Sequence, residues 1–320
     1  MVTDSFLSLD PVRLLDAVEA GLGSGARATG RCLALNSLEN RVYEIELEER
    51  ESVVAKFYRP GRWSRDSILD EHAFIAELAA AEIPAAAPLQ LSNGSTLGEA
   101  SGLWFALFPK FRGRLLPELD DGQLQQIGRW LARVHNVGVL RPALHRLTLT
   151  PEWWGLESIK FLLASNSIDG QLCARYERGV RTLVDRITPL FVGTESIRIH
   201  GDCHLGNVLW HAQSPHLIDF DDMMMGPPVQ DVWLVVRGRD VEANRQRDVL
   251  CDGYEQMRDF DRTTLRLIEP LRALRMIHYA AWIARRYQDP AFQRAFPEFG
   301  SYRYWLSECE DLDNQIALLT

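Results

Sequence analysis

The sequence predicts an α+β fold in two lobes, a small strand-rich lobe over residues 1–108 and a larger, mostly helical lobe over residues 109–320. Three β-like runs crowd the first 60 residues, helical periodicity dominates after Phe108, and a short β island near residues 197–220 interrupts the helices. A chain of 320 residues is long enough for two such lobes.

Taken in order, "PVRLLDAVEAGLGSG" reads as a short amphipathic helix ending in glycine. "RCLALNS" and "RVYEIELEE" read as strands joined by the Asn- and Ser-rich turn "NSLEN". "SVVAKFYRP" is a third strand, stopped by Pro60-Gly61. Ile68, Glu71, Phe74, Ile75 and Leu78 then fall at helical spacing, and Pro84 ends that element. "GLWFALFPKF" is a further strand running into a loop. Beyond it, Leu124, Ile127, Leu131 and Val134 share one face of a helix that ends at Gly138. "ESIKFLLASNS", "GQLCARYERGVRTLVDRITPLF", "DVWLVV" and "TTLRLIEPLRALRMIHYAAWIARRYQD" supply further helices. The cleft between the lobes is where a ligand is expected.

Composition narrows the partners. A formal net charge of −9 argues against nucleic acid and against an anionic membrane surface. The five cysteines are scattered and include no C-x-x-C pair, the usage of a reducing compartment. The opening "MVTDSFLSLDP" lacks a basic region followed by an apolar one, and no apolar run is long enough to span a bilayer. A cytoplasmic monomer is expected.

Chemistry concentrates in "HGDCHLGNVLW", residues His200 to Trp210, where His, Asp, His and Asn share one tight loop before an apolar run. If "NVLW" and "HLIDF" close as a hairpin with Trp210 opposite His216, Asn207 faces Asp219, and paired side chains share a face about 4.5–5.5 Å apart. A carboxylate and an amide oxygen so placed suit Mg²⁺. Asp219, Asp221 and Asp222 cluster in "IDFDDM". Two like charges about 4 Å apart cost roughly 4 kcal/mol at an effective dielectric near 20. A divalent ion relieves this, and exposure to water is the reading for Asp221 and Asp222. Asp202 stands close to that site and is placed to accept a hydroxyl proton, with His200 bracing the loop backbone. Zinc is the competing reading of His200, Asp202, Cys203 and His204, but four ligands crowded within five positions make a poor tetrahedron and no distant ligand pair completes it.

These residues carry a family resemblance. "HGDCHLGN" resembles the H-x-D-x-x-x-x-N catalytic loop of the aminoglycoside-phosphotransferase-like kinases, and "IDF" resembles the metal-binding D-F-G of protein kinases. The resemblance implies a bilobal protein-kinase-like fold with ATP as the phosphoryl donor. It implies Asp202 and Asp219 as the catalytic carboxylates, Asp202 being the base, with Asn207 and Asp219 as the Mg²⁺ ligands. Lys56 alternates with Val54 and Tyr58 and is similar to the strand lysine that holds the α- and β-phosphates, although taken alone it reads as a snorkelling lysine. Glu71 is its expected ion-pair partner, with Glu77 the alternative. "NSLEN" sits where the family places its phosphate loop but departs from G-x-G-x-x-G, so phosphate contacts are expected from backbone N–H groups and the Ser37 hydroxyl; a turn-capping Ser37 is the alternative. Phe108 and Lys110 bracket the expected adenine-binding hinge.

Only a short segment separates Asp219 from Asp231, so there is no room for a long activation loop. Constitutive competence is expected, with Asp231 bonding the catalytic-loop backbone. "MMM" at 223–225 and "WW" at 153–154 read as packing, and His135, His145 and His278 as structural. The function these expectations compose is ATP- and Mg²⁺-dependent transfer to Ser/Thr hydroxyls of protein substrates, the chain itself included. The alternative acceptor is a small hydroxylated metabolite of the choline, homoserine or aminoglycoside kind. A silent nucleotide-binding scaffold is the third reading; the joint presence of Lys56, Asp202, Asn207 and Asp219 speaks against it.

Overall fold

A computed structural model describes residues 9–23 and 25–319 of the chain. The expectation about a leader segment rests largely on residues 1–8 and so lies outside the described residues.

Helix α1 (Pro11–Leu22) starts where the Asp10 carboxylate accepts from the Arg13 backbone N–H at 2.9 Å, with proline at the first turn. Strands β1 (Ala28–Ala34), β2 (Arg41–Leu47) and β3 (Val53–Phe57) follow. Next come helix α2 (Arg65–Ala80) and strands β4 (Gly98–Ala100) and β5 (Leu103–Pro109). The five strands form one antiparallel sheet in the order β1-β2-β3-β5-β4. Side chains alternate across it. Ile45, Ala55, Phe57 and Leu107 pack against Leu14 and Val18 of α1. The opposite face carries Ala106, in register with Lys56, and packs with Tyr58 against Ile68 of α2. Strand β4, three residues long, gave no readable period.

The second lobe contains β6 (Arg114–Leu115), α3 (Asp121–Gly138), α4 (Glu157–Ala164), α5 (Cys173–Ile187), β7 (Ile197–Ile199), β8 (Val208–His211), β9 (Ser214–Leu217) and β10 (Met224–Gly226). Helices α6 (Val229–Val235), α7 (Val241–Glu255), α8 (Ile268–Arg286), α9 (Pro290–Ala295) and α10 (Tyr302–Leu318) complete it. Helices α3 and α7 cross at two glycines: a Cβ on Gly128 would stand 2.1 Å from the Leu250 carbonyl, and one on Gly253 would stand 2.3 Å from that of Gln125. The lobes share a core, because α2 sends Phe74, Ile75 and Leu78 in among Leu131, Val134, Ile199 and Phe220. Burial of each such side chain contributes about 1.5–3 kcal/mol. Among the described residues, no helix is long and apolar enough to cross a membrane.

The hairpin differs from the expected register by one residue. Leu209 pairs with His216 and Trp210 with Pro215, and His211 closes on Ser214. The loop is therefore only Ala212 and Gln213, both left-handed at φ 46° and 66°. That is the two-residue turn whose twist matches the strands. It usually announces itself by Asn-Gly, and here it does not. Asn207 consequently lies opposite Ile218, whose N–H it accepts at 3.1 Å. Asp219 comes to the cleft by its own left-handed backbone, φ 59° and ψ 67°, and not by facing Asn207 across a ladder.

His72 on α2 makes stability depend on pH. It is buried, with Nε2 2.8 Å from the Tyr58 hydroxyl and Nδ1 2.8 Å from that of Thr96. Burial, with the Lys56 and Arg146 charges nearby, holds its pKa down to about 3. The unfolded chain binds a proton there below about 6.5 and the folded chain does not. This contribution is therefore complete above pH ~6.5 and is lost as pH falls towards 3, by at most about 1.4 kcal/mol per pH unit. Urea midpoints measured from pH 7.5 to 5 should fall, and His72→Gln should flatten the slope.

Candidate active site

Lys56 stands at the centre of the site. Strand alternation turns it inward, where three carboxylates surround its ammonium: Asp221 at 3.0 Å, Asp219 at 3.3 Å and Glu71 at 3.6 Å. Burial alone would lower its pKa, but Asp221, Glu71 and Asp219 hold it well above the ordinary lysine value. The lysine is thus a fixed cation, not a snorkelling one. Glu71, buried on α2, is held on its other oxygen by Arg146 at 2.6 Å. Burial still pushes its carboxyl up, against the pull of Lys56 and Arg146. Glu77, the alternative partner, pairs instead with Arg198 at 2.7 Å.

Asp221 departs from its expected place in water. It is buried, ion-paired to Arg62 and Lys56, and accepts from the Asn40 amide at 3.2 Å. Arginine therefore relieves the carboxylate repulsion at this residue. Burial opposes ionisation, but Arg62, Lys56 and Arg146 hold the carboxyl well below the usual range. Asp222 is half exposed and also reaches Arg62, at 2.5 Å.

The loop carrying Asp202 is fixed by its backbone. Asp231, fully buried at the start of α6, accepts from the N–H groups of His200 and Gly201, each at 2.8 Å, and faces His135 Nε2 at 3.1 Å. Gly201 needs its positive φ of 83°, and a Cβ there would stand 2.2 Å from the Asp222 carbonyl. His200 Nε2 donates to the Ile218 carbonyl at 3.0 Å, and its Nδ1 accepts from the Asp202 N–H at 3.3 Å. This is the bracing role expected of it. The segment after Asp219 is pinned too, since β10 pairs with β7 through Met224 and Ile199.

Asp202 itself is mostly buried at the cleft wall. Its Oδ1 accepts from Arg275 at 2.7 Å, and its Oδ2 lies 3.4 Å from His204 Nε2. Burial would raise its pKa, but the His204 hydrogen bond and the Arg275 guanidinium hold the carboxyl well below the usual range. The group is ionised, the state a proton acceptor requires. Cys203 is completely buried, and burial pushes its thiol up. Among the described residues no group of three or more His, Cys, Asp or Glu side chains is placed to hold a metal, which counts against the zinc reading.

Asn207 donates its amide N–H to the Asp202 carbonyl at 3.0 Å, which turns its amide oxygen the other way. Asp219 is half exposed and lines the cleft. These are hard oxygen donors, the kind that Mg²⁺ takes. Ser37 accepts from the Asn40 N–H at 3.2 Å, a turn cap within the "NSLEN" loop. The structure does not gather the hinge residues with this cluster. Phe108 packs beside Tyr58 and Ile68 and edges onto His72. Lys110 points outward to an ion pair with Glu44 on β2, because its position on the strand exit faces the sheet surface.

A cavity of about 290 Å³ opens beside Asp202 and is lined by Asp219, Asp222, Arg275, His278, Tyr279 and Trp282 among others. Trp154 and His278 stack at 4.9 Å, and Tyr279 and Trp282 at 5.3 Å. The reading of Trp154 and His278 as packing alone missed that they also line this wall. Arg62, Arg146 and Arg275 were missed as well. Arg275, Tyr279, Trp282 and Arg286 recur along one side of α8, a polar and aromatic stripe that was the available signal. Nothing local to Arg146 marked it.

Comparison with known proteins adds to this geometry. The model of a family described as "Phosphotransferase enzyme family" matches residues 32–268. The chain is 37% identical to stress response kinase A of Escherichia coli (strain K12), over 98% of this chain and 95% of that protein. It is 36% identical, with the same coverage, to a Salmonella typhimurium protein named serine/threonine protein kinase RdoA. Among solved structures, an amicoumacin kinase in complex with AMP-PNP, Ca²⁺ and Ami superposes with a TM-score of 0.75 at 19% identity, covering 97% of this chain and 96% of that one. A microcompartment-associated aminopropanol kinase gives 0.69 at 17%, covering 97% and 98%. The structural likeness extends to the fold.

Proposed function

The chain belongs to the phosphotransferase enzyme family, and from that premise we propose that it is an ATP- and Mg²⁺-dependent kinase acting on Ser/Thr hydroxyls of proteins, itself included. The observation that carries the chemistry is Asp202 and a half-exposed Asp219 lining one cleft, with buried Lys56 ion-paired to Asp219 behind it. The protein acceptor rests on the relative named a serine/threonine protein kinase, matched over nearly its whole length. A part in stress response rests on the names of the other relatives, and a cytoplasmic place on cysteine usage.

In this reading Lys56 holds the donor's phosphates, and its three carboxylate neighbours fix where its charge stands. Asp219 and the Asn207 oxygen would hold Mg²⁺, which when bound neutralises phosphate charge. Asp202 orients the acceptor hydroxyl and takes its proton as the new P–O bond forms and the bond to the leaving diphosphate breaks. Arg275 fixes the position of that carboxylate at 2.7 Å. The pinned segment between Asp219 and Asp231 favours competence without loop phosphorylation. A second reading, phosphorylation of a small hydroxylated molecule, draws on the compact aromatic wall beside Asp202.

Radiolabelled γ-phosphate supplied with Mg²⁺ tests the choice. Label should appear on the chain or on a generic basic protein as acid-stable phosphoserine or phosphothreonine. Label confined to small hydroxylated acceptors would install the second reading. Nucleotide binding without any transfer would leave only a scaffold.

A further inference from the structure

The "NSLEN" loop contains no glycine, so something other than bare backbone must set its shape. Glu39 supplies it. Its side chain is buried at the loop tip, where an unpaired carboxylate would be costly. One oxygen lies 2.6 Å from Arg286 Nε and accepts from Trp282 Nε1 at 2.7 Å, both on α8 of the second lobe. The other lies 3.1 Å from Arg59 Nε. The Arg59 guanidinium donates in turn to the carbonyls of Leu38 and Glu39, at 3.0 and 2.8 Å, and reaches Asp289 at 2.9 Å. Asn40 ties the far side of the loop to Asp221. The same stripe of α8 that holds Glu39 through Trp282 and Arg286 also holds Asp202 through Arg275. The span from Arg275 to Arg286 is roughly 16 Å of helix.

We propose that Glu39 is a positioning residue, latching the 36–40 loop to α8 so that the loop and Asp202 are held by one rigid rod. The proposal rests on the reading above, in which this loop lies over the nucleotide phosphates. The latch sets the loop's backbone N–H groups before nucleotide arrives, so its loss weakens nucleotide binding, with Glu39 at the edge of the cavity that Asp202 and Asp219 line.

The test is a double-mutant cycle read by equilibrium binding of a fluorescent ATP analogue with Mg²⁺, together with hydrogen exchange of residues 36–40 without nucleotide. Glu39→Gln and Arg286→Met should each weaken binding about tenfold, and the double variant no more than the worse single. Exchange in the loop should accelerate in both. Trp282→Phe removes the indole N–H, along with part of the ring, and should weaken binding about fivefold, which keeps the test open if Glu39→Gln folds poorly. Losses that multiply in the double variant, or faster exchange with unchanged binding, would overturn the latch. Failure of the unaltered chain to bind the analogue would instead refute the phosphate-loop reading, while the exchange result would still report on the latch.

Discussion

Asp202→Ala is expected to lower the phosphoryl-transfer rate by about 10²–10⁴ while nucleotide affinity stays within about twofold. The separation follows from where the carboxylate sits. It contacts Arg275 and His204 on the acceptor side of the cleft, and Lys56 lies among other carboxylates. Removing it leaves the groups proposed to hold nucleotide and metal in place. Single-turnover transfer and equilibrium binding, measured on the same preparation, check both halves. Equal loss of both would mean that Asp202 belongs to the nucleotide site, and the assignment of a proton acceptor would fall.

The largest effect on stability is expected at Arg146. Its guanidinium is fully buried and donates to the Ser67 carbonyl at 2.8 Å, to the Asp221 carbonyl at 2.7 Å and to Glu71 at 2.6 Å. It also lies 4.2 Å over the Trp63 ring. Arg146→Ala leaves Glu71 buried with Lys56 as its remaining cation, and breaking such a pair costs about 3–5 kcal/mol. In a chain of this size that lowers Tm by roughly 4–7 °C. The double change Glu71→Leu with Arg146→Met removes both charges at similar volume and should recover much of the stability. It should not recover activity, because Lys56 then lacks one of the carboxylates that orient it. Calorimetry on the three proteins separates these outcomes; a double variant as unstable as Arg146→Ala would show that the cost lies in packing and not in the orphaned charge.

Much of this was legible in the chain. Period-2 and period-3.6 patterns found the main strands and helices because each buries one face. The motifs "HGDCHLGN" and "IDF" pointed to Asp202, Asn207 and Asp219 by their resemblance to a kinase catalytic loop, and Asp202 and Asp219 do line one cavity. What stayed hidden depended on distant partners. Asp221 looked solvated beside Asp222, and the arginine that buries it lies 159 residues away. Arg275 reaches Asp202 from 73 residues downstream, on a helix whose remaining faces are apolar enough to read as core. Lys110 was placed by position alone, and its ion pair with Glu44 across the sheet carried no local signal. The hairpin register failed for a local reason: Ala212 and Gln213 adopt a conformation that neither residue advertises.

That turn has a wider bearing. Exposed tips between strands ordinarily accept an extra residue at little harm. Here the tip counts off the spacing of both strands leading into the cleft, and its two left-handed residues store about 1–2 kcal/mol each. A one-residue slip in that pairing would turn Leu209 and Trp210 to the opposite faces of the hairpin and shift the strand that leads to Asp219. A surface site with no chemistry of its own thus acts as the gauge by which the interior is aligned.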